Sequence, residues 1–159
     1  YGIDHGHALY EEVIHVPLIL VAPGVEPRRV ETPCSLVDIV PTVLELCGLR
    51  TDFEFDGHNL LNLPEERTIF SESTIYGYQK KAVIKGGWKL HHCEGDGVTL
   101  LYNLAQDPHE KQDLSMQFPH KVQELLAELQ ARQICEEERG KVEMDAFMVQ
   151  RLRQLGYIE

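Results

Sequence analysis

Positive charge is scarce in this 159-residue chain: 15 lysines and arginines face 26 aspartates and glutamates, a formal net charge of −11. Such a balance argues against nucleic acid or an anionic membrane as a main partner, and part of it reads as a solvated helix face at Glu136-Glu137-Glu138. Cysteine is equally thin. Cys34, Cys47, Cys93 and Cys135 are far apart with no Cys-x-x-Cys pair, which excludes a disulfide framework and predicts buried free thiols. No apolar run is long enough to span a membrane and no leader is visible, which leaves localisation open. Ser71, Ser73 and Ser115 lack a Gly-x-Ser-x-Gly elbow. The glycines are scattered through turns, and none forms a phosphate-cradling loop ahead of a helix. By chemistry alone the chain holds no complete catalytic constellation.

What is present divides into two periodicities. In residues 1–66, Val16-Pro17-Leu18-Ile19-Leu20-Val21 is a short apolar run bounded by prolines, the pattern of a strand buried on both faces of a parallel sheet. The fifteen residues before it contain no second strand to pair with it. Left alone, such a strand would present unpaired backbone and apolar surface, so self-association through Val16, Leu18 and Leu20, or local disorder in residues 1–30, is expected. A helix follows, with Asp38 as cap, Val40, Val43, Leu44 and Cys47 as its apolar stripe, Pro41 in its first turn and Gly48 as terminator. Residues 49–66 read as a polar loop.

Residues 67–159 read as a meander and its cover. Strands are expected at Thr68–Ser73, Ala82–Lys85, Trp88–Cys93 and Val98–Leu104, with Gly86-Gly87 as a two-residue hairpin turn and residues 94–97 as the next turn. Pro119 suits the first helical position, and Val122, Leu125, Leu126 and Leu129 form one stripe that can cover the sheet. A second helix is expected around Met144–Leu155, with Met144, Phe147, Met148, Leu152 and Leu155 as packing residues. The fold class is α+β: a strand–helix portion of an α/β domain, then a four-stranded antiparallel sheet packed on a C-terminal helix.

Three groups of residues invite a chemical reading. Asp4-His5-Gly6-His7 has the donor types for a divalent cation, yet three ligands in a terminal tetrapeptide need further donors. His91 and Cys93 share one face of a strand while His92 points away, which gives two soft donors at best and favours a structural role. The loop 74–80 offers Tyr76, Tyr78 and Lys80, rings and an ammonium group that could approach a substrate, against the plainer reading of an exposed loop.

Read together, these segments resemble the type I sulfatases of the alkaline-phosphatase superfamily. His5-Gly6-His7-Ala8-Leu9-Tyr10-Glu11-Glu12 with His15-Val16-Pro17-Leu18-Ile19 is similar to the family's "HG-x-x-LYEE…RVPLI" segment, with His15 where arginine is common. Ser35 to Gly48 resembles its "DI-x-PTLLELAG" helix, and Asp56-Gly57 with Leu60-Leu61 its "DG-x-SLL" turn. Leu101-Tyr102-Asn103-Leu104 through Asp107-Pro108-His109-Glu110 is similar to "LYDL-x-x-DP-x-E", and Leu152-Arg153-Gln154-Leu155-Gly156-Tyr157 to a closing "LR-x-LGY".

The resemblance implies that residues 1–66 are the C-terminal portion of a sulfatase α/β catalytic domain and residues 67–159 the C-terminal subdomain. It implies a formylglycine nucleophile made from a Cys/Ser-x-Pro-x-Arg motif, and a divalent metal, usually calcium. Neither is expected within this chain: Cys34 is followed by Ser35-Leu36-Val37, which departs from the motif. It also implies that a His or Lys just before LYEE reaches the sulfate, which makes His5 the first candidate catalytic residue and His7 the second; imidazole can carry charge or donate a proton to the leaving oxygen. The implied function is hydrolysis of sulfate esters, with the isolated chain inactive. Two alternatives stay open: part of a phosphodiesterase or phosphonate hydrolase of the same superfamily, and a non-catalytic structural or interaction module.

Overall fold

The computed structural model of the chain describes residues 8–73, 77–138 and 146–154. The chain forms two compact units, residues 1–129 and 130–159.

A short helix, α1 (Glu11–Ile14), opens the described chain. After an extended stretch, a 3₁₀ turn at Leu36–Asp38 leads into α2 (Ile39–Leu46). A second 3₁₀ turn, Leu60–Asn62, begins at Asn59, whose side chain accepts a hydrogen bond from the Leu61 amide. The sheet then forms from β1 (Thr68–Ser73), β2 (Lys80–Lys85), β3 (Trp88–Cys93) and β4 (Val98–Asn103). Its strands lie in chain order and pair antiparallel throughout. The long helix α3 (Pro119–Glu138) follows, and α4 (Ala146–Gln154) belongs to the second unit.

The meander forms where its residue types require it. Gly86 and Gly87 both take positive φ, +58° and +77°, which a two-residue turn matched to the strand twist demands and which side chains resist. The register across the sheet aligns Val83, Leu90 and Leu101 on one face. Those three pack with Leu125 and Leu129 of α3 into the core, flanked by Phe70, Trp88, Val122 and Leu126. The stripe expected on this helix is therefore the one that covers the sheet. Each fully buried Leu in it contributes about 1.5–3 kcal/mol through the apolar surface removed from water. At the outer edge of β4, the Leu101 amide donates to Asp113 Oδ1 (3.0 Å) and the Leu114 amide donates to the Leu101 carbonyl (2.8 Å).

The first sixty-odd residues depart from expectation. Val16–Val21 forms no strand, and Val16, Leu18, Ile19, Leu20 and Val21 are all exposed, Ile19 and Val21 at 86% and 90%. Apolar composition specifies that a segment favours burial; a strand also needs a hydrogen-bonding neighbour, and no described strand lies beside it. The exposed apolar surface expected of an unpartnered strand is thus present. The helix after it does form, with Gly48 at φ +66° just past its end. Its inward face, however, is Asp38 and Thr42, while Val40, Val43 and Cys47 of the expected apolar stripe are exposed. Of the thiols expected to be buried, Cys93 is, whereas Cys34 and Cys47 are exposed, because they lie on this uncovered side. In the second unit Phe147 is 70% exposed rather than packed; Met144 and Leu155 lie outside the described residues.

Candidate functional site

Alternation along β3 sends Leu90 to the core beneath α3 and puts Lys89 and His91 on the opposite face. That face would be expected to meet water. Instead Lys89 is wholly buried, Tyr102 beside it is 4% exposed, and Leu9 is 5% exposed. The Leu9-Tyr10-Glu11 segment lies against them: the Tyr10 ring centroid is 4.8 Å from His91 and 6.2 Å from Tyr102. Burial, reinforced by a hydrogen bond with Tyr10, pushes the Tyr102 phenol up from its ordinary range.

Glu110 organises this face. Oε2 accepts the Glu11 backbone amide at 2.5 Å, and Oε1 sits 2.8 Å from His91 Nε2 and 3.0 Å from Lys89 Nζ. Lys89 Nζ also reaches Glu11 Oε1 at 2.8 Å. Burial alone would raise the Glu110 carboxyl, but the donors of His91, Glu11 and Lys89 together hold it below its ordinary value. An ionised carboxylate only accepts, so the Nε2 of His91 is the protonated ring nitrogen toward it. Glu110 has φ +52°, the only non-glycine among the described residues at positive φ. A buried lysine, two carboxylates and a histidine thus close on one another with their polar atoms engaged, which suits a fastening rather than a reacting centre.

A second buried pair lies at the start of α2. Asp38, wholly buried, receives both terminal nitrogens of Arg67 at 2.8 and 2.9 Å, the Ser35 amide at 2.7 Å and the His58 amide at 2.8 Å. Against desolvation, which raises it, these donors lower the Asp38 carboxyl. Thr42 extends the cluster, donating to the Asp38 carbonyl and accepting the Leu60 amide.

Other expected contacts resolve less tightly. His92 Nδ1 pairs with Thr99 Oγ1 at 2.9 Å, so His91 and His92 serve different faces as alternation requires. Tyr78 is 61% exposed with its ring against Gly95, and Lys80 belongs to β2; Tyr76 lies outside the described residues. So do the candidate catalytic residues His5 and His7. Among the described residues no three His, Cys, Asp or Glu side chains group to hold a metal ion, and the most buried carboxylates, Asp38 and Glu110, are engaged by protein donors. The described residues therefore do not fit a calcium site. No described helix is long and apolar enough to cross a membrane. An open groove of about 780 Å³, lined by Leu18, Leu20, Val25, Val30, Leu61 and Leu63, runs along the exposed apolar segment.

The sequence signalled neither buried network: Lys89 reads as an outward strand residue, and Glu110 lies in a loop 99 positions from Glu11. The one hint was that a glutamate in the Asp107-Pro108-His109-Glu110 turn belongs to the segment resembling sulfatases.

Comparison with known proteins bears on the fold and the family. No protein-family model matches the chain. The chain is 32% identical over 134 residues to arylsulfatase K of Danio rerio, covering 74% of this chain and 25% of the relative. It is 34% identical over 122 residues to the uncharacterized sulfatase YidJ of Escherichia coli, covering 70% and 24%. A crystal structure from Bacteroides thetaiotaomicron assigned to the sulfatases superposes with a TM-score of 0.69 at 21% identity, covering 91% of this chain and 35% of that one. The chain belongs to the sulfatase family. It spans about a quarter of the length of the curated relatives it matches, and its fold, a four-stranded antiparallel sheet with helices, is α+β as expected.

Proposed function

We propose that this chain is the C-terminal portion of a sulfuric ester hydrolase and supports an active site completed by residues outside it. In this reading residues 1–66 end the α/β catalytic domain and residues 67–159 form the subdomain behind it. Sequence identity of 34% to a sulfatase over 70% of the chain is the observation that carries the proposal. The substrate class is a sulfate ester, since the matched relatives are arylsulfatases and sulfatases by name. Calcium and a formylglycine nucleophile, which the resemblance implies, are assigned to the remainder of the protein, since no Cys/Ser-x-Pro-x-Arg motif occurs in this sequence.

His5, with His7 as second choice, is the group of this chain that meets substrate. A protonated imidazole there would balance sulfate charge or pass its proton to the departing alcohol oxygen. Support comes from its place just ahead of Leu9–Glu11, a segment the chain fastens with unusual investment in buried charge. The exposed Val16, Leu18 and Leu20 are the surface through which the separated chain self-associates.

An aryl sulfate assay tests the reading. The full-length protein should release sulfate, its His5→Ala variant should lose about a hundredfold or more in kcat, the range general acids supply, and the 159-residue chain alone should show no turnover. A full-length protein that cleaves phosphate diesters or phosphonates and no sulfate ester would replace this reading with the phosphorus-ester alternative.

A further inference from the structure

One face of the sheet carries two unlike rows of side chains. Alternation puts Glu72, Lys81, His92 and Thr99 on the same face as Phe70, Val83, Leu90 and Leu101, and the register sets each row side by side across the four strands. The apolar row packs under Leu125 and Leu129 of α3, and beyond it Trp88 meets Phe118 and Lys85 meets Glu128. The polar row lies on the other side, where Lys81 and His92 line a recess of about 300 Å³. Its remaining described walls are Tyr78, Gln79, Glu94 and Gly95, so that all six residues come from β2, β3 and the turns flanking them. That volume falls at the small end of ligand sites.

The walls of this recess are held in place. The Tyr78 ring lies so close to the Gly95 backbone that a Cβ there would fall 2.1 Å from Tyr78 Cγ and 2.2 Å from Cδ1. Gly95 does not take positive φ, so the position calls for glycine by the room it leaves rather than by its backbone freedom. Tyr78 is thus seated while 61% of it stays exposed. A ring whose place is set before a ligand arrives loses little entropy on binding. His92 is fixed in the same way, with Thr99 Oγ1 2.9 Å from Nδ1, and among the described residues its Nε2 has no partner.

The polar groups supply both halves of hydrogen bonding: Lys81 donates, Glu94 accepts, and the Gln79 amide does both. An ammonium and a carboxylate in one recess suit hydroxyls better than a bare anion, which Glu94 would repel. A hydroxyl both donates and accepts, and a rim of hydroxyls around a flat C–H face is the chemistry of a pyranose. Tyr78 offers the matching flat apolar face. We propose that this recess binds the ring of a neutral hexopyranose, stacked on Tyr78 with its hydroxyls held by Lys81 and Glu94. The proposal concerns binding and takes nothing from the sulfatase reading, so a failed sulfatase assay leaves it standing.

The test is a fluorine NMR titration of the full-length protein with a fluorinated tyrosine in place of Tyr78. The probes are methyl β-D-glucoside, methyl β-D-galactoside, methyl N-acetyl-β-D-glucosaminide and, separately, sodium sulfate. At least one glycoside should shift the fluorine signal saturably, with a Kd of about 1 mM as expected for so small a ligand; sulfate should leave the signal unmoved. Glu94→Gln and Lys81→Met should each weaken that Kd about tenfold or more, the size of a lost hydrogen bond to a charged group. Gly95→Ala should displace the ring signal before any sugar is added and weaken binding as well. Absence of a saturable shift with all three glycosides overturns the proposal. So does a shift that sulfate reproduces, which would make the recess an anion site, and so does a Kd unchanged in Glu94→Gln or in Lys81→Met.

Discussion

Asp38 and Arg67 meet through two parallel hydrogen bonds of 2.8 and 2.9 Å, their side chains 0% and 6% exposed. One stands at the start of α2, the other immediately before β1, so the pair ties the N-terminal stretch to the sheet. The planar guanidinium fork is what makes both contacts possible at once.

Arg67→Ala should therefore cost about 3–5 kcal/mol, since it strands a buried carboxylate with its charge uncompensated. That is a large part of the about 5–15 kcal/mol by which domains are stable. Arg67→Lys should recover only part of the loss, because an ammonium cannot span both oxygens. Urea unfolding followed by Trp88 fluorescence reads both, and an unchanged midpoint for Arg67→Ala would contradict the assignment.

Stability should be lost at acid pH through two carboxylates. Asp38 and Glu110 are lowered from ordinary values of 3.8 and 4.5. A lowered folded value means the unfolded chain binds protons first, so their stabilisation is complete above about 4.5 and drains away as pH falls through the depressed folded values. At the alkaline end Tyr102 acts oppositely: its raised phenol keeps its contribution below its ordinary value of 10 and loses it as pH climbs beyond. Urea midpoints measured from pH 3 to 7 should show a slope that Glu110→Gln flattens; an identical slope in the variant would count against Glu110.

Gly57→Ala should destabilise the loop before β1. A Cβ at Gly57 would lie 2.0 Å from the Val37 carbonyl oxygen and 2.4 Å from its carbon, both backbone atoms. Forcing them apart costs about 1–3 kcal/mol by analogy with overpacked cores, and it disturbs the His58 amide that donates to Asp38. Amide exchange at His58 should accelerate together with a lowered Tm; a silent substitution would show that the contact yields freely.

The separated chain should self-associate. Val16, Leu18, Leu20 and their neighbours present a contiguous exposed apolar run beside the groove. Light scattering after size exclusion should give a mass above 18.2 kDa, and Leu18→Ser with Leu20→Lys should restore the monomer. A monomeric wild-type chain would refute the role of this surface.

The sheet was legible because its signals are local. Gly86-Gly87 names a turn, and the alternation around Val83, Leu90 and Leu101 names a face. The α3 stripe was legible for the same reason, at helical spacing. The buried polar contacts were not. Lys89 meets Glu11 across 78 positions and Glu110 meets Glu11 across 99, and nothing in a strand pattern distinguishes a lysine facing water from one facing two carboxylates. Asp38 stands at the N-cap of α2 as expected but makes no side-chain cap bond there. It accepts the Ser35 amide as the third residue of the preceding 3₁₀ turn's capping box, and it pairs with Arg67, 29 positions away, which no local pattern announces. Val16–Val21 differs again: its hydrophobicity is plain in the sequence, but a strand also needs a hydrogen-bonding neighbour, and no described strand lies beside it.

The sealed edge of β4 carries a practical corollary. Because Asp113 and Leu114 occupy the Leu101 amide and carbonyl, a stray strand finds no purchase at the middle of that edge. Association of this chain is then expected through residues 16–21 rather than through the β4 edge. Solubility and folding become separable traits, one tuned by polar replacements in that short run, the other left to the meander and its helix.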